Sequence, residues 1–517
     1  MTSRYRSLAK ILPTLCLSLL IVSCGSETEN TAEVVQSHLE RSQAYQEQGQ
    51  YRAAIIEARN IIKKDRNNNL GYLRLAQMYV ELGSHRAASG LLETIPAPNA
   101  ETQVLLAEAY VGQRKYTSAQ KALDEYLFQG GDAEAVQYQL TNSHILASKN
   151  QLETVTEQLQ AVIAQSPDNS EAKNLLTRFY LNQQQLPQAQ DLLAATLASH
   201  PKDPETLMIA AQLAYLKNDL PAAEGHLTNA LLELPETDIM LPQRSQVLKQ
   251  LSSVMTQQGR TTEALAYTKA LAKSNPEGTA AQSEFTQALK VLQEGDVQEA
   301  EKMLQKIYED YPNNEMVALY LGLIDYQQGD FSAASELLNS NIDVETASPQ
   351  IIQTTALSLL RGKQIDKALT LLEEAAAIHS DNAKLIALYG LTALQSDDSQ
   401  EDGIIAIQRA LAMEPELLNL RLGLARYYLS NDKPEQADAQ LEQVLKTEPG
   451  HVLASNLRAA ILERSGDNDG AANTIAKMLS AKPEDHLALN LAARYALSQK
   501  DLTRAQQYYQ KSLQLQA

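Results

Sequence analysis

Small and bulky apolar residues recur along this chain in a fixed phrase. Gly295-Asp296-Val297 is followed by Ala300 and then, seventeen residues after the glycine, by Pro312. The phrase returns as Gly329-Asp330-Phe331 with Ala334, as Gly259 with Ala264 and Pro276, and as Gly466-Asp467 with Ala471 and Pro483. The basic step is 34 residues. Each mark has a physical reason. Glycine supplies the left-handed backbone that ends a helix. Proline stops the next helix and restricts the residue before it. Alanine suits the place where two helices cross most closely, because a leucine there overpacks at about 1–3 kcal/mol. Two helices and a turn are therefore expected in every unit, and a fixed period of this length points to a repeat array.

The phrase resembles the tetratricopeptide repeat (TPR), a helix A, turn, helix B hairpin with a small residue at position 8, a bulky one at 11, Gly at 15, Ala at 20 and Pro at 32. In that register the repeats start at 35, 69, 100, 136, 170, 204, 245, 281, 315, 349, about 383, 418, 452 and 486. Twelve of the fourteen carry Ala at position 20, with Val155 and Gly403 as the exceptions, and eight carry Pro at position 32. Tyr79, Tyr110, Tyr180 and Tyr428 at position 11, with Leu92, Leu304, Leu338 and Leu441 at 24, are expected to fill the hairpins. The resemblance implies an all-α, right-handed superhelical solenoid of about fourteen repeats, each touching only its neighbours. Repeat 2 is about three residues short near Pro96-Ala97-Pro98, and seven extra residues, Asp238 to Arg244, separate repeats 6 and 7. That excess suggests two sub-arrays, 35–237 and 238–517. Repeat 11 contains an irregular acidic stretch, 397–402. Gln506, Gln507, Gln510, Gln514 and Gln516 are expected to give the last helix a polar outer face.

Composition agrees with a nearly all-helical chain: 517 residues with only 21 Gly, 17 Pro and no Trp. The first segment is of another kind. Arg4, Arg6 and Lys10 precede an apolar run from Ile11 to Val22, too short for the ~20 residues that span a bilayer. The run ends in Ile21-Val22-Ser23-Cys24, which resembles the lipobox of bacterial lipoproteins. Residues 1–23 are accordingly expected to be a signal peptide, Cys24 the lipidated residue, and 24–34 a tether. Gly25, rather than Asp, resembles lipoproteins sorted to the outer membrane, so the chain is expected to face the periplasm. Removing residues 1–23 takes three basic residues with it and moves the net charge from −19 to −22. A surface this acidic repels phosphate backbones, which argues against nucleic-acid binding. The two cysteines, Cys16 and Cys24, both fall by residue 24, so no disulfide framework, Cys-based zinc site or cysteine nucleophile is expected beyond it.

The sequence holds no phosphate loop, no G-x-G-x-x-G, no H-E-x-x-H and no G-x-S-x-G. Its eight histidines are scattered. No catalytic residue, metal, cofactor or small-molecule substrate is expected. In TPR arrays the ligand-facing positions are 2, 5, 9, 12 and 13 of helix A. In repeats 8 and 9 these are Phe285, Leu289, Leu292, Met316, Leu319, Leu323 and Tyr326, a candidate apolar partner site, or packing if the spiral is tight there. Asn174 and Arg178 in repeat 5, and Asn490 and Arg494 in repeat 14, stand at positions 5 and 9, one turn apart on one helix face. There they could clamp a peptide backbone or carboxylate. The opening of the array, Gly49-Gln50-Tyr51-Arg52-Ala53-Ala54 through Lys63-Lys64-Asp65 and Tyr79-Val80-Glu81-Leu82-Gly83, is similar to TPR lipoproteins of exosortase (PEP-CTERM) and exopolysaccharide systems. Arg66 stands where that family has proline. The resemblance implies a lipid-anchored periplasmic scaffold binding envelope proteins through its concave face. Other TPR lipoproteins imply a competing role in assembling pili or outer-membrane proteins.

Overall fold

The computed structural model describes residues 31–516 apart from Asn275 and Asn313. Signal peptide, Cys24 and most of the expected tether lie outside the described residues. Within them the chain is all-α: 28 α-helices and one 3₁₀ turn. The first hairpins are α1 (Thr31–Glu47) with α2 (Tyr51–Lys64), α3 (Asn69–Glu81) with α4 (His85–Leu92), and α5 (Ala100–Gly112) with α6 (Tyr116–Phe128). Next come α7 (Val136–Ser148) with α8 (Leu152–Gln165), α9 (Ser170–Asn182) with α10 (Leu186–Ser199), and α11 (Pro204–Leu216) with α12 (Leu220–Glu233). The middle repeats are α13 (Pro242–Gln257) with α14 (Thr261–Ser274), α15 (Pro276–Gln293) with α16 (Val297–Asp310), and α17 (Glu315–Gln328) with α18 (Phe331–Asn341). Then follow α19 (Pro349–Arg361) with α20 (Ile365–Ile378), and α21 (Ala383–Ala393) with α22 (Gln400–Met413). The last are α23 (Leu418–Ser430) with α24 (Pro434–Thr447), α25 (Val452–Ser465) with α26 (Asn468–Ala481), and α27 (His486–Ser498) with α28 (Leu502–Gln516).

Eleven of the fourteen helix-A starts fall on the residue the period gives. The other three begin early. α1 starts at Thr31, inside the stretch expected as tether, because Ala32 and Glu33 continue the helix outward. α13 and α15 start on Pro242 and Pro276. Proline is favoured in a first helical turn, where its missing N–H has no intrahelical partner to lose. At all eight repeats with Pro at position 32, helix B ends two residues before it, as α16 does at Asp310 before Pro312.

Two positions organise every hairpin. Position 20 is buried in all fourteen: eleven of its twelve alanines and Val155 are 0–2% exposed, Ala264 6%, and Gly403 is also buried. Position 15 is left-handed in thirteen. Six of these residues are glycines, Gly49, Gly83, Gly259, Gly295, Gly329 and Gly466. The other seven are Arg114, Asn150, Gln184, Asn218, Lys363, Asp432 and Lys500, with φ between 54° and 63°. The turn imposes the conformation whatever residue stands there. It is closed by the bond from the next N–H to a carbonyl five residues back, as in Gln185 N to Tyr180 O and Lys433 N to Tyr428 O, both 2.8 Å. Repeat 11 alone departs: α21 ends early and Asp397–Ser399 form the 3₁₀ turn.

Residues 31–112, 122–141 and 156–251 form one compact unit, and 113–121, 142–155 and 252–516 form another. The last change from one unit to the other along the chain falls at 251/252. Among the described residues, loops also carry two contacts between hairpins far apart in the chain. Within the first unit, Asp238 in the seven-residue excess bonds the start of α2, 187 residues earlier. Within the second, Glu345 in the loop after α18 bonds the start of α6. On α28 the expected glutamine face is interrupted by Leu502, Leu513 and Leu515, 70%, 65% and 45% exposed.

Candidate functional site

The apolar set on α15 and α17 divides when its contacts are followed. Phe285 and Leu292 pack against a buried cluster of Ala288, Leu304, Ile307, Val317, Leu321 and Ile324. The Phe285 ring also meets Tyr320 edge-on at 5.6 Å. Tyr326 lies edge-on to Phe331 at 5.5 Å, and the Arg361 guanidinium sits over that pair, 4.6 Å from the Phe331 centroid. These three side chains therefore contribute to packing between helices, while each remains half-buried. Met316 is 53% exposed, while Leu289, Leu319 and Leu323 are half-buried. Leu319 and Leu323 stand one turn apart on α17. Beside Tyr326, burial first, then Glu301 and Asp330, hold the Asp325 carboxyl above its usual range.

The two Asn/Arg pairs meet different fates. Asn174 is 2% exposed and sealed by the next repeat. Its amide donates to Asp203 Oδ2 at 2.9 Å, and the Thr206 hydroxyl, which donates to the same carboxylate oxygen at 2.6 Å, closes over it 3.0 Å from its own oxygen. Asp203 in turn caps α11 through Thr206 N. Asn174 is thus a connector between repeats, not a groove residue. Arg178 is spent on Glu205, 2.6 Å away.

Asn490 and Arg494 instead line an open pocket of about 460 Å³ between α25 and α27. Val452, Leu453, Leu487 and Leu491 supply its apolar wall, and Asn456 faces it from α25. Glu448 and Lys482 on its rim neutralise each other at 3.0 Å. His451 Nδ1 accepts the Ala454 N–H at 3.3 Å, and Asp485 accepts those of Leu487 and Ala488 at 2.8 and 3.0 Å, so both are occupied as helix caps. Asn456, Asn490 and Arg494 make no hydrogen bond or ion pair with described residues. Next to Arg494, burial first, then Glu463 and Asp469, push the Tyr495 hydroxyl above its usual range.

Asn456 does not belong to an Asn/Arg pair in the sequence, because Ala460 stands at its position 9. The signal was there in another form. Asn456 occupies position 5 of repeat 13 as Asn174 does in repeat 5, and Asp485 matches Asp203. The difference lies one residue type away: Ala488 stands where repeat 6 has Thr206. Without that hydroxyl, the asparagine lacks the side chain that closes over its counterpart. Two amides that each donate and accept, one of them a turn from a guanidinium, can hold a peptide group and a carboxylate. Among the described residues no group of three or more His, Cys, Asp or Glu could hold a metal ion, and no helix is long and apolar enough to cross a membrane.

A sequence model of the tetratricopeptide repeat matches residues 146–213 and 291–349, and a second such model matches 422–485 and 461–517. The matched segments are tetratricopeptide repeats. The open pocket falls within the last two, and the α17 leucines within 291–349. A TPR repeat-containing protein of Pseudomonas aeruginosa is 28% identical over 166 residues, which cover 32% of this chain and 28% of that protein. Among solved structures, a tetratricopeptide repeat protein from Parabacteroides merdae is 18% identical, covering 46% of this chain and 93% of its own, with a TM-score of 0.35. The C-terminal part of a TPR repeat-containing protein from Cytophaga hutchinsonii is 16% identical over 45% and 95% of the two chains, with a TM-score of 0.36. Tetratricopeptide repeats suggest a scaffold for protein–protein interaction.

Proposed function

We propose that this chain is a lipid-anchored scaffold of the bacterial envelope, held at Cys24 in the outer membrane, facing the periplasm, and binding envelope proteins through the helix-A faces of its repeats. The observation that carries the binding role is the pocket between α25 and α27, where Asn456, Asn490 and Arg494 have no bonding partner among the described residues. Asn456 and Asn490 are half-buried and Arg494 is exposed, so all three remain open to a ligand, unlike the sealed Asn174. An extended segment of a partner laid across α25 and α27 would meet amides for its backbone and a cation for an acidic side chain or terminus. Leu319 and Leu323 with Met316 offer a second, apolar contact on α17. Resemblance of the opening repeats to the exosortase-associated lipoproteins supports service in an export or exopolysaccharide and PEP-CTERM sorting system.

Anchoring and location are tested by metabolic labelling in a Gram-negative host. Wild type should incorporate radiolabelled palmitate and fractionate with the outer membrane, and Cys24→Ser should lose both the label and the fractionation. Equal labelling of the two proteins, or none in either, would refute the anchor. A label retained with the inner membrane would refute the location alone.

A further inference from the structure

Helix α2 lacks a cap of its own. Gln50 precedes it and makes no side-chain bond to it. The first amides of a helix have no intrahelical acceptor and carry the positive end of its dipole. Here they are met from far along the chain. Asp238, in the loop between α12 and α13, accepts the Tyr51 N–H at 2.7 Å and the Arg52 N–H at 3.1 Å, one on each carboxylate oxygen. The Asp238 N–H donates to Gly49 O at 3.0 Å. Ile239 and Leu241 on the same loop pack into the cluster of Tyr51, Ala54, Leu75 and Met78. The fit leaves no room for side chains: a Cβ on Gly49 would lie 2.7 Å from Glu236 O.

The second unit repeats the device with different residues. Helix α18 stops at Asn341, and no proline marks its position 32. The freed residues form a loop that reaches the start of α6. Glu345 accepts the N–H groups of Thr117 and Ser118, the latter at 3.1 Å, and the Ser118 hydroxyl at 2.6 Å. Asp343 pairs with Lys115 at 2.7 Å. Between the two acids Val344 is 6% exposed, and its carbonyl takes the His379 Nε2 proton at 2.9 Å.

We propose that these two loops are carboxylate latches, each binding the start of a helix B that lies many repeats earlier, and that a unit can spread its hairpins apart only by withdrawing the carboxylate from that helix end. The device goes beyond the scaffold reading and does not depend on it. A chain of hairpins that touch only neighbours is compliant, because every interface can tilt slightly. A contact between distant hairpins removes that freedom. A partner then meets helix-A faces that are already fixed in place.

Hydrogen exchange on the full chain reads each latch directly, because the amides of Tyr51, Arg52 and Ser118 have the carboxylates as acceptors. Asp238→Ala should accelerate exchange roughly tenfold or more, the loss expected for bonds to a charged acceptor, in fragments covering 50–54 and equally in 234–244. Glu345→Ala should do the same in 116–119 and 342–348. Asp219→Ala is the control, removing a cap within one hairpin, the bond from Ala222 N at 3.0 Å. It should affect only the start of α12. If Asp238→Ala unfolds the chain, Asp238→Asn, which keeps one accepting oxygen, should give a smaller acceleration at the same two places. Unchanged exchange at 50–54, or acceleration there with 234–244 unaffected, would overturn the latch.

Discussion

Gly403→Val should lower the stability of the array by about 3 kcal/mol or more, the upper end of what overpacking costs. Gly403 holds position 20 of repeat 11, where twelve other repeats have alanine. In α21 and α22 even that methyl is too large. A Cβ on Gly403 would lie 2.9 Å from Gly390 O and 3.1 Å from Leu394 N. Both are backbone atoms, so no side chain can swing away. Gly390, facing it, is equally confined, with Gly403 O at 2.9 Å from its own would-be Cβ. Gly403→Ala should lose less, because alanine recovers about 1 kcal/mol of helix propensity. Gly225 provides the contrast. It lies in α12 with nothing within 4 Å of its would-be Cβ. Gly225→Ala should therefore stabilise by about 1 kcal/mol. Urea unfolding midpoints of the three variants, with exchange in α21 and α22, check the ranking. A neutral Gly403→Val would show that the two helices are further apart than described.

Replacing Arg114, Gln184, Lys363 and Lys500 together by glycine should stabilise the chain by about 2–4 kcal/mol, without touching a single packed side chain. Each is left-handed, with φ of 63°, 59°, 59° and 61°. That backbone costs an L-residue about 1–2 kcal/mol, of which glycine's greater freedom in the unfolded chain takes back roughly half. Gly295→Ala runs the test in reverse. Gly295 has φ 93° and nothing within 4 Å of its would-be Cβ, so any loss of stability there reports backbone strain alone. A rise in melting temperature for the fourfold variant and a fall for Gly295→Ala are expected. No change in either would mean the turns relax out of the left-handed region at no cost.

Much of this fold could be read from residues that repeat. Ala at 20 and Pro at 32 located both helices of nearly every hairpin, since each mark acts within its own 34 residues. What escaped depends on a second, distant residue. Glycine announced the left-handed turn in six repeats, but Gln184 or Lys363 reveals it only through register. The seven residues from Asp238 to Arg244 were visible as excess length, yet their acceptor role requires α2, whose sequence gives no sign of it. Phe285 and Tyr326 could be read from their positions either as part of a partner site or as packing, because Tyr320, Phe331 and Arg361 decide where their rings go. The same holds for the asparagines. Asn174 and Asn456 are equivalent by position, and Thr206 against Ala488 in the following repeat determines that one is sealed and the other open.

Whether the α25–α27 pocket receives a partner is tested most directly by photo-crosslinking in the cell envelope. A photo-reactive residue in place of Asn490 should give a discrete adduct with an envelope protein. The same residue in place of Ile405, 63% exposed on helix B of repeat 11, should give none. Adding Arg494→Glu to the first chain should reduce its adduct by roughly tenfold or more, as expected when an attractive charge becomes a repulsive one at a binding site. Its melting temperature should not change, since Arg494 bonds no described residue. Adducts from position 405 equal to those from 490, or an adduct at 490 indifferent to Arg494→Glu, would contradict a binding role for the pocket.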